Sequence, residues 1–157
     1  MLSRRTAFAA LLAASTVAFS ADVQNMGGSW KLNQEKSRWG KRDKPTGVEL
    51  KIEHNEPAIR YTGTVINANA TDRRDFKFDG AIDGQPHPAT GPEGEGAMTI
   101  NRVNKFTTKW TFRSNDGKVT EEAMTSISGN GREMTRRMER KAPEGTVTWT
   151  EFYEKTS

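Results

Sequence analysis

The sequence predicts an all-β protein, a single antiparallel up-and-down β-barrel of about 8–10 strands. Three observations predict it. From residue 27 onward, turn-forming clusters recur roughly every ten residues: Asn55-Glu56-Pro57, Asp79-Gly80, Asp83-Gly84, Asp116-Gly117, Gly129-Asn130-Gly131 and Pro143-Glu144-Gly145. The stretches between them are rich in Thr, Val, Ile and aromatics, and they alternate apolar with polar residues. Beyond residue 20, leucine remains only at Leu32 and Leu50, so no segment offers the Leu-rich stripe of a helical bundle.

Residues 1–20 read as a cleaved export signal, leaving 21–157 as the barrel domain. Arg4 and Arg5 supply the positive start, and Ala7 to Phe19 is a 13-residue apolar stretch, too short to span a bilayer as a helix. Ala18-Phe19-Ser20 puts small residues at the two positions a signal peptidase reads, so the mature chain is expected to begin at Ala21. Ser3-Arg4-Arg5-Thr6 is similar to a twin-arginine signal, although Phe8 stands one residue late; the general secretory and twin-arginine routes both remain open. The expected location is periplasmic or extracellular. The chain has no cysteine, which excludes a lipid anchor after the cleavage point, disulfide staples and a thiolate metal site.

The leader also colours the composition. Hydrophobic residues make up 33% of the whole but only about 28% of the chain beyond residue 20, which fits a thin-walled barrel with a polar or hollow interior. The net charge of +4 includes Arg4 and Arg5. Without them the basic surplus nearly vanishes and argues for no acidic partner.

Nine segments read as strands: 27–33, 47–54, 58–67, 72–79, 97–103, 105–113, 118–128, 132–141 and 146–155. Val48-Glu49-Leu50-Lys51-Ile52-Glu53 trades apolar and charged residues with period two. From Phe106 to Phe112, one face carries Phe106, Thr108, Trp110 and Phe112; the other carries Thr107, Lys109 and Thr111. The last segment puts Val147, Trp149, Glu151 and Tyr153 on one face. Connections at 55–57, 114–117, 129–131 and 142–145 are short enough for hairpins, so the chain meanders. Residues 34–46 and 80–96 read as longer loops, the second rich in Gly and Pro, and neither has a helical stripe. Closing the meander removes its exposed edges. A transmembrane barrel would need an unbroken apolar outward band. The faces opposite the aromatics hold Lys51, Lys109, Arg113, Glu122 and Arg137 instead, so no membrane span is expected.

Gly28-Ser29-Trp30-Lys31-Leu32 opens the first strand and Tyr153-Glu154-Lys155 closes the last. This pairing resembles the lipocalin and fatty-acid-binding group of ligand-binding β-barrels, where a Gly-x-Trp near the start plugs one end. More closely, the chain is similar to a lipocalin-like, calycin-type family of secreted bacterial β-barrel proteins. The shared features are Trp30-Lys31-Leu32-Asn33 with Lys36-Ser37, Phe78-Asp79-Gly80 with Thr90-Gly91, Asp116-Gly117-Lys118, and Ser128-x-x-Gly131 leading to Met134-Thr135. The resemblance implies barrel closure by Gly28 and Trp30 and a small molecule held inside. It also exposes departures. Fatty-acid-binding proteins carry an Arg two residues before the Tyr of the last strand, where this chain has Glu151. They also insert a helical lid after the first strand, for which Gln34 to Thr46 shows no pattern. Lys155 is the candidate to cover Trp30.

The inner face of the last two strands holds the candidate chemistry. With Trp149, Glu151 and Tyr153 inward, the preceding strand presents Met134, Arg136, Met138 and Arg140 on one face, so Arg136 or Arg140 can pair with Glu151. Burying ions costs several kcal/mol each unless they are paired, so such a pair suits a wet interior gripping a polar ligand group. The alternative leaves the arginines in solvent and Glu151 at a rim. Tyr61, Trp110, Phe112 and Trp149 line a cavity on one reading and fill the core on the other. His54 and His87 have no metal-ligand spacing, and no nucleophile–base order is visible. Asp72-Arg73-Arg74-Asp75, Asp79 and Asp83 fit turns and a solvated face, without calcium-loop spacing. The basic run Arg132, Arg136, Arg137, Arg140, Lys141 is interrupted by Glu133 and Glu139 and split over two faces, so no nucleic-acid partner is expected.

The sequence therefore points to a monomeric, cofactor-free and non-enzymatic binder or carrier of a small, partly apolar molecule of unspecified identity. The expected ligand-binding residues are Tyr61, Trp110, Arg136, Trp149, Glu151 and Tyr153. The alternative is a structural or interaction module of the cell envelope with a filled barrel. The two separate on the interior: a ligand carrier needs a cavity of ~300 Å³ or more.

Overall fold

Period-two alternation becomes a wall with one face turned in and one out. The computed structural model describes residues 23–67 and 72–157, and the export signal read at residues 1–20 lies outside the described residues. The described residues hold β1 (Gly28–Leu32), β2 (Gly47–Asn55), β3 (Ala58–Ile66), β4 (Arg73–Ala81), β5 (Pro86–Gly91), β6 (Gly94–Asn104), β7 (Thr107–Ser114), β8 (Thr120–Ile127), β9 (Glu133–Ala142) and β10 (Gly145–Lys155). Each strand pairs antiparallel with the next, and β1 pairs with β10 as well as β2, so the sheet closes into an up-and-down barrel. In β2, Val48, Leu50 and Ile52 are buried while Glu49, Lys51 and Glu53 are exposed. Thr108, Trp110 and Phe112 of β7 turn inward, as do Trp149, Glu151 and Tyr153 of β10.

The segment 80–96 departs from expectation. It is not one loop but contains β5 and the start of β6, which brings the strand count to ten. Pro86 and Pro88 hid the strand, because proline within a run argues against a ladder partner. They stand two residues apart, so their missing N–H groups face the same neighbour. The β4–β5 ladder is correspondingly short, pairing only Lys77 with Thr90 and Phe78 with Ala89, whereas β5 pairs with β6 along its whole length.

The barrel has one plugged end and one open end. The β2–β3, β4–β5, β6–β7 and β8–β9 hairpins gather at the plugged end together with the residues before β1. There Met26 is buried, the indole Nε1 of Trp30 donates to the Met26 carbonyl at 3.0 Å, and Lys155 Nζ lies 5.7 Å from the Trp30 ring centroid. Gly28 has φ +137°, and a Cβ there would come within 2.3 Å of Lys155 Cε and 2.5 Å of the Ser157 carbonyl oxygen. A side chain is thus excluded at Gly28 both by backbone conformation and by space.

At the open end, residues 33–46 link β1 to β2 without a helix. The Asn33 carboxamide oxygen accepts from the Glu35 and Lys36 N–H groups, and Arg38 bridges to Thr150 through two backbone hydrogen bonds of 2.8 and 2.7 Å. This folds the link over β10. Arg42 is thereby laid across Trp149, its guanidinium carbon 4.0 Å from the ring centroid.

Candidate ligand-binding site

Alternation along β10 forces Glu151 into the barrel between two aromatics, and the β9–β10 register sets Arg136 directly opposite it. Arg136 Nη1 stands 3.3 Å from Glu151 Oε2, with the two side chains 14% and 7% exposed. The carboxylate is further satisfied from its own strand: Trp149 Nε1 donates to Oε1 at 2.8 Å and Tyr153 Oη to Oε2 at 2.9 Å. The Arg136 guanidinium lies 5.3 Å from the centroid of Trp110 and 6.0 Å from that of Tyr153. Ion pairing, hydrogen bonds and cation–π contact together offset a desolvation cost of several kcal/mol per ion. Arg140, the other arginine open to this role, instead pairs with Glu93 and Glu144 nearer the rim.

These groups perturb one another. Burial pushes the Arg136 guanidinium down, but Glu151, Tyr153 and Tyr61 outweigh it and hold it above its ordinary value. Burial, reinforced by Glu151, raises the Tyr153 phenol well above its usual range. The Tyr61 phenol is pushed up to about 12 by burial, against the pull of Arg136 and Arg102. Both phenols therefore stay neutral and able to donate at physiological pH.

Tyr61, Trp110, Arg136, Trp149, Glu151 and Tyr153 line one cavity, whose wall is otherwise largely apolar, with Leu50, Val65, Phe78 and Met138 among its members. The cavity volume is about 70 Å³, below the ~300 Å³ at which a drug-sized ligand pocket begins. It admits a small group or the end of a longer molecule. The hydroxyl of Tyr61 is buried and has no hydrogen-bond partner among the described residues.

Phe76, Arg42 and Glu121 are among the wall residues not anticipated by the sequence. Phe76 crosses over Gly63, where a Cβ would meet its ring at 2.3 Å. Arg42 sits in a link with no periodicity, so nothing in the sequence places it. Glu121 shares a face with Ala123, Thr125 and Ile127, and period-two counting from those residues points it inward. Burial raises its pKa, with Arg42 pulling the other way.

The histidines lie elsewhere. His54, its side chain 2% exposed, accepts the Met26 N–H at Nδ1 (3.1 Å) and contacts Glu56 through Nε2 at 2.7 Å. His87 contacts Asp83 at 3.0 Å and meets the Phe78 ring edge-on. Among the described residues no group of three His, Asp or Glu side chains is placed to hold a metal.

No family model and no curated protein matches this chain in sequence. Solved structures do match it. The zebrafish ileal bile acid-binding protein, solved with cholic acid, aligns with a TM-score of 0.55 over 83% of this chain and 98% of its own, at 14% identity. A Schistosoma mansoni fatty acid binding protein, solved with arachidonic acid, aligns with a TM-score of 0.56 over 84% of this chain and 96% of its own, at 10% identity. The likeness is one of fold: this chain is a closed, ten-stranded, antiparallel up-and-down barrel, as these two binding proteins are.

Proposed function

We propose that the protein binds one end of a small, partly apolar molecule in the open half of its barrel, as an exported binding protein without catalytic turnover. The cavity falls short of the ~300 Å³ that a carrier enclosing its whole ligand needs. One observation carries this reading. A neutralised ion pair and two neutral phenols, Tyr153 and the unpartnered Tyr61, belong to the wall of a cavity that is otherwise largely apolar. A merely filled core would gain nothing from polar groups at that depth, since each costs free energy to bury. The solved barrels that align with it hold cholic acid and arachidonic acid, and this supports an interior ligand here as well. Export to the periplasm or beyond rests on Arg4, Arg5 and the apolar stretch Ala7 to Phe19.

The cavity volume restricts the ligand. At about 70 Å³ the interior takes one end of a slender molecule, with the rest leaving past Arg42 and Trp149. The same volume favours a second reading, an envelope interaction module with a filled barrel. Native mass spectrometry of the protein purified from its own source separates the two. A small molecule released on denaturation is the expected result. A barrel that carries none, and takes up no added amphiphile such as 1-hexanol, contradicts the binding proposal.

A further inference from the structure

We infer that the barrel interior selects a neutral hydrogen-bonding group, a hydroxyl or an amide, and rejects carboxylates, because Glu151 is a built-in counter-ion that already occupies Arg136. The inference rests on the proposed binding function and adds the chemical class of the ligand's polar end.

Charge and valence at the inner end of the cavity decide the selection. Arg136 is the cation at the inner end, whereas Arg42 stands at the mouth on Trp149, and the carboxylate opposing Arg136 is covalently part of β10. Glu151 is held by Trp149 and Tyr153 as well as Arg136, so it cannot swing aside without leaving two buried donors unpaired. A second carboxylate brought beside Arg136 would place two anions on one guanidinium, with Glu121 nearby on the same wall. With Arg136 and Glu151 this deeply buried, that arrangement costs more than hydration of the ligand anion outside. A hydroxyl or amide meets no such conflict. It adds no charge, and the buried Tyr61 hydroxyl offers it both a donor and an acceptor. Glu151 thus excludes anions, while Tyr61 engages a neutral group.

The test compares 1-hexanol with hexanoate at about pH 7, where hexanoate is ionised. The two differ at the polar end and share their chain length. Binding is read from the indole N–H signals of Trp110 and Trp149 on titration. The expected result is an affinity for 1-hexanol at least about tenfold above that for hexanoate, with the order reversed in Glu151→Gln, which frees Arg136 for a ligand anion. Tyr61→Phe, which keeps the ring and loses only the hydroxyl, is expected to lower 1-hexanol affinity several-fold while the protein stays folded. It covers the case in which Glu151→Gln unfolds. Equal or tighter binding of hexanoate to the unaltered protein overturns the inference and leaves the binding function standing. So does an unchanged preference in a folded Glu151→Gln or Tyr61→Phe. Binding of neither compound overturns the binding function and the inference with it.

Discussion

At the plugged end of the barrel charged side chains are tied to one another under Trp30, whereas at the open end charged and phenolic side chains line a cavity. His54, Glu56 and Arg102 form one chain of contacts, and His54 also takes the Met26 N–H, so the residues before β1 are fastened under Trp30. One Arg102 nitrogen and the hydroxyls of Thr108 and Thr125 are exceptions, buried without partners. The open end has its own saturated cluster around Glu151, to which Tyr61 adds an unpartnered hydroxyl, Glu121 a desolvated carboxyl 3.9 Å from Arg140 Nε, and Arg42 a guanidinium that stacks on Trp149. Among the described residues no carboxylate forms an ion pair with Arg42. The plugged end is thus arranged for stability. The open end instead sets Tyr61, Arg42 and Glu121 in the wall of a cavity, which is how a binding site differs from a core.

Substitutions break this contrast at different depths. Trp30→Ala removes the plug and is expected to cost about 3–5 kcal/mol in urea unfolding. A loss under about 1 kcal/mol would mean that Trp30 does not hold the end closed. Arg136→Met leaves Glu151 buried without its cation and is expected to cost about 3 kcal/mol, at the low end for a broken buried pair because Trp149 and Tyr153 still hold the carboxylate. Replacing Glu151 by Gln in the same chain should recover part of that loss, and a double variant no more stable than Arg136→Met would argue against the pair.

Glu121 sharpens the comparison through pH. Its folded pKa is raised above the ordinary 4.5, so the folded state holds this proton more tightly than the unfolded state. The resulting stabilisation is fully present below the unfolded value and is lost as pH rises through the raised folded value. Glu121→Gln should therefore flatten the fall in melting temperature above about pH 4.5. A profile identical to that of the unaltered protein would place Glu121 in solvent. Arg42→Ala is the mildest change. It should alter stability by less than about 1 kcal/mol, since a partly exposed cation–π contact is worth little more than that, while speeding ligand exchange in line-shape analysis. Unchanged exchange would remove Arg42 from the mouth.

The fold is legible in the sequence wherever one face of a strand is buried. Val48 to Glu53, Phe106 to Phe112 and Val147 to Tyr153 alternate cleanly, and their inward sets put Leu50, Trp110, Phe112, Trp149, Glu151 and Tyr153 in the cavity wall. β5 is not legible, because Pro86, Pro88 and Gly91 erase both propensity and pattern, and only the ladder with β6 makes it a strand. The same logic divides the site. Trp149, Glu151 and Tyr153 share a strand face, and Arg136 follows from the neighbouring hairpin register. The choice between Arg136 and Arg140 is hidden, since it depends on which is drawn to Glu93 and Glu144 at the rim. Arg42 reaches the cavity only through the folding of the β1–β2 link over β10. The size of the cavity depends on how far the aromatic rings reach across the barrel, which no periodicity records.

The chain's own tryptophans provide the most direct test. Trp30 stands at the plugged end, while Trp110 and Trp149 stand at the cavity wall. In a two-dimensional ¹H–¹⁵N spectrum their indole N–H signals separate the two ends during a titration with 1-hexanol. Binding in the open half predicts saturable shifts for Trp110 and Trp149, with Trp30 unmoved. Shifts confined to Trp30, or no saturable shift at any of the three, would contradict it.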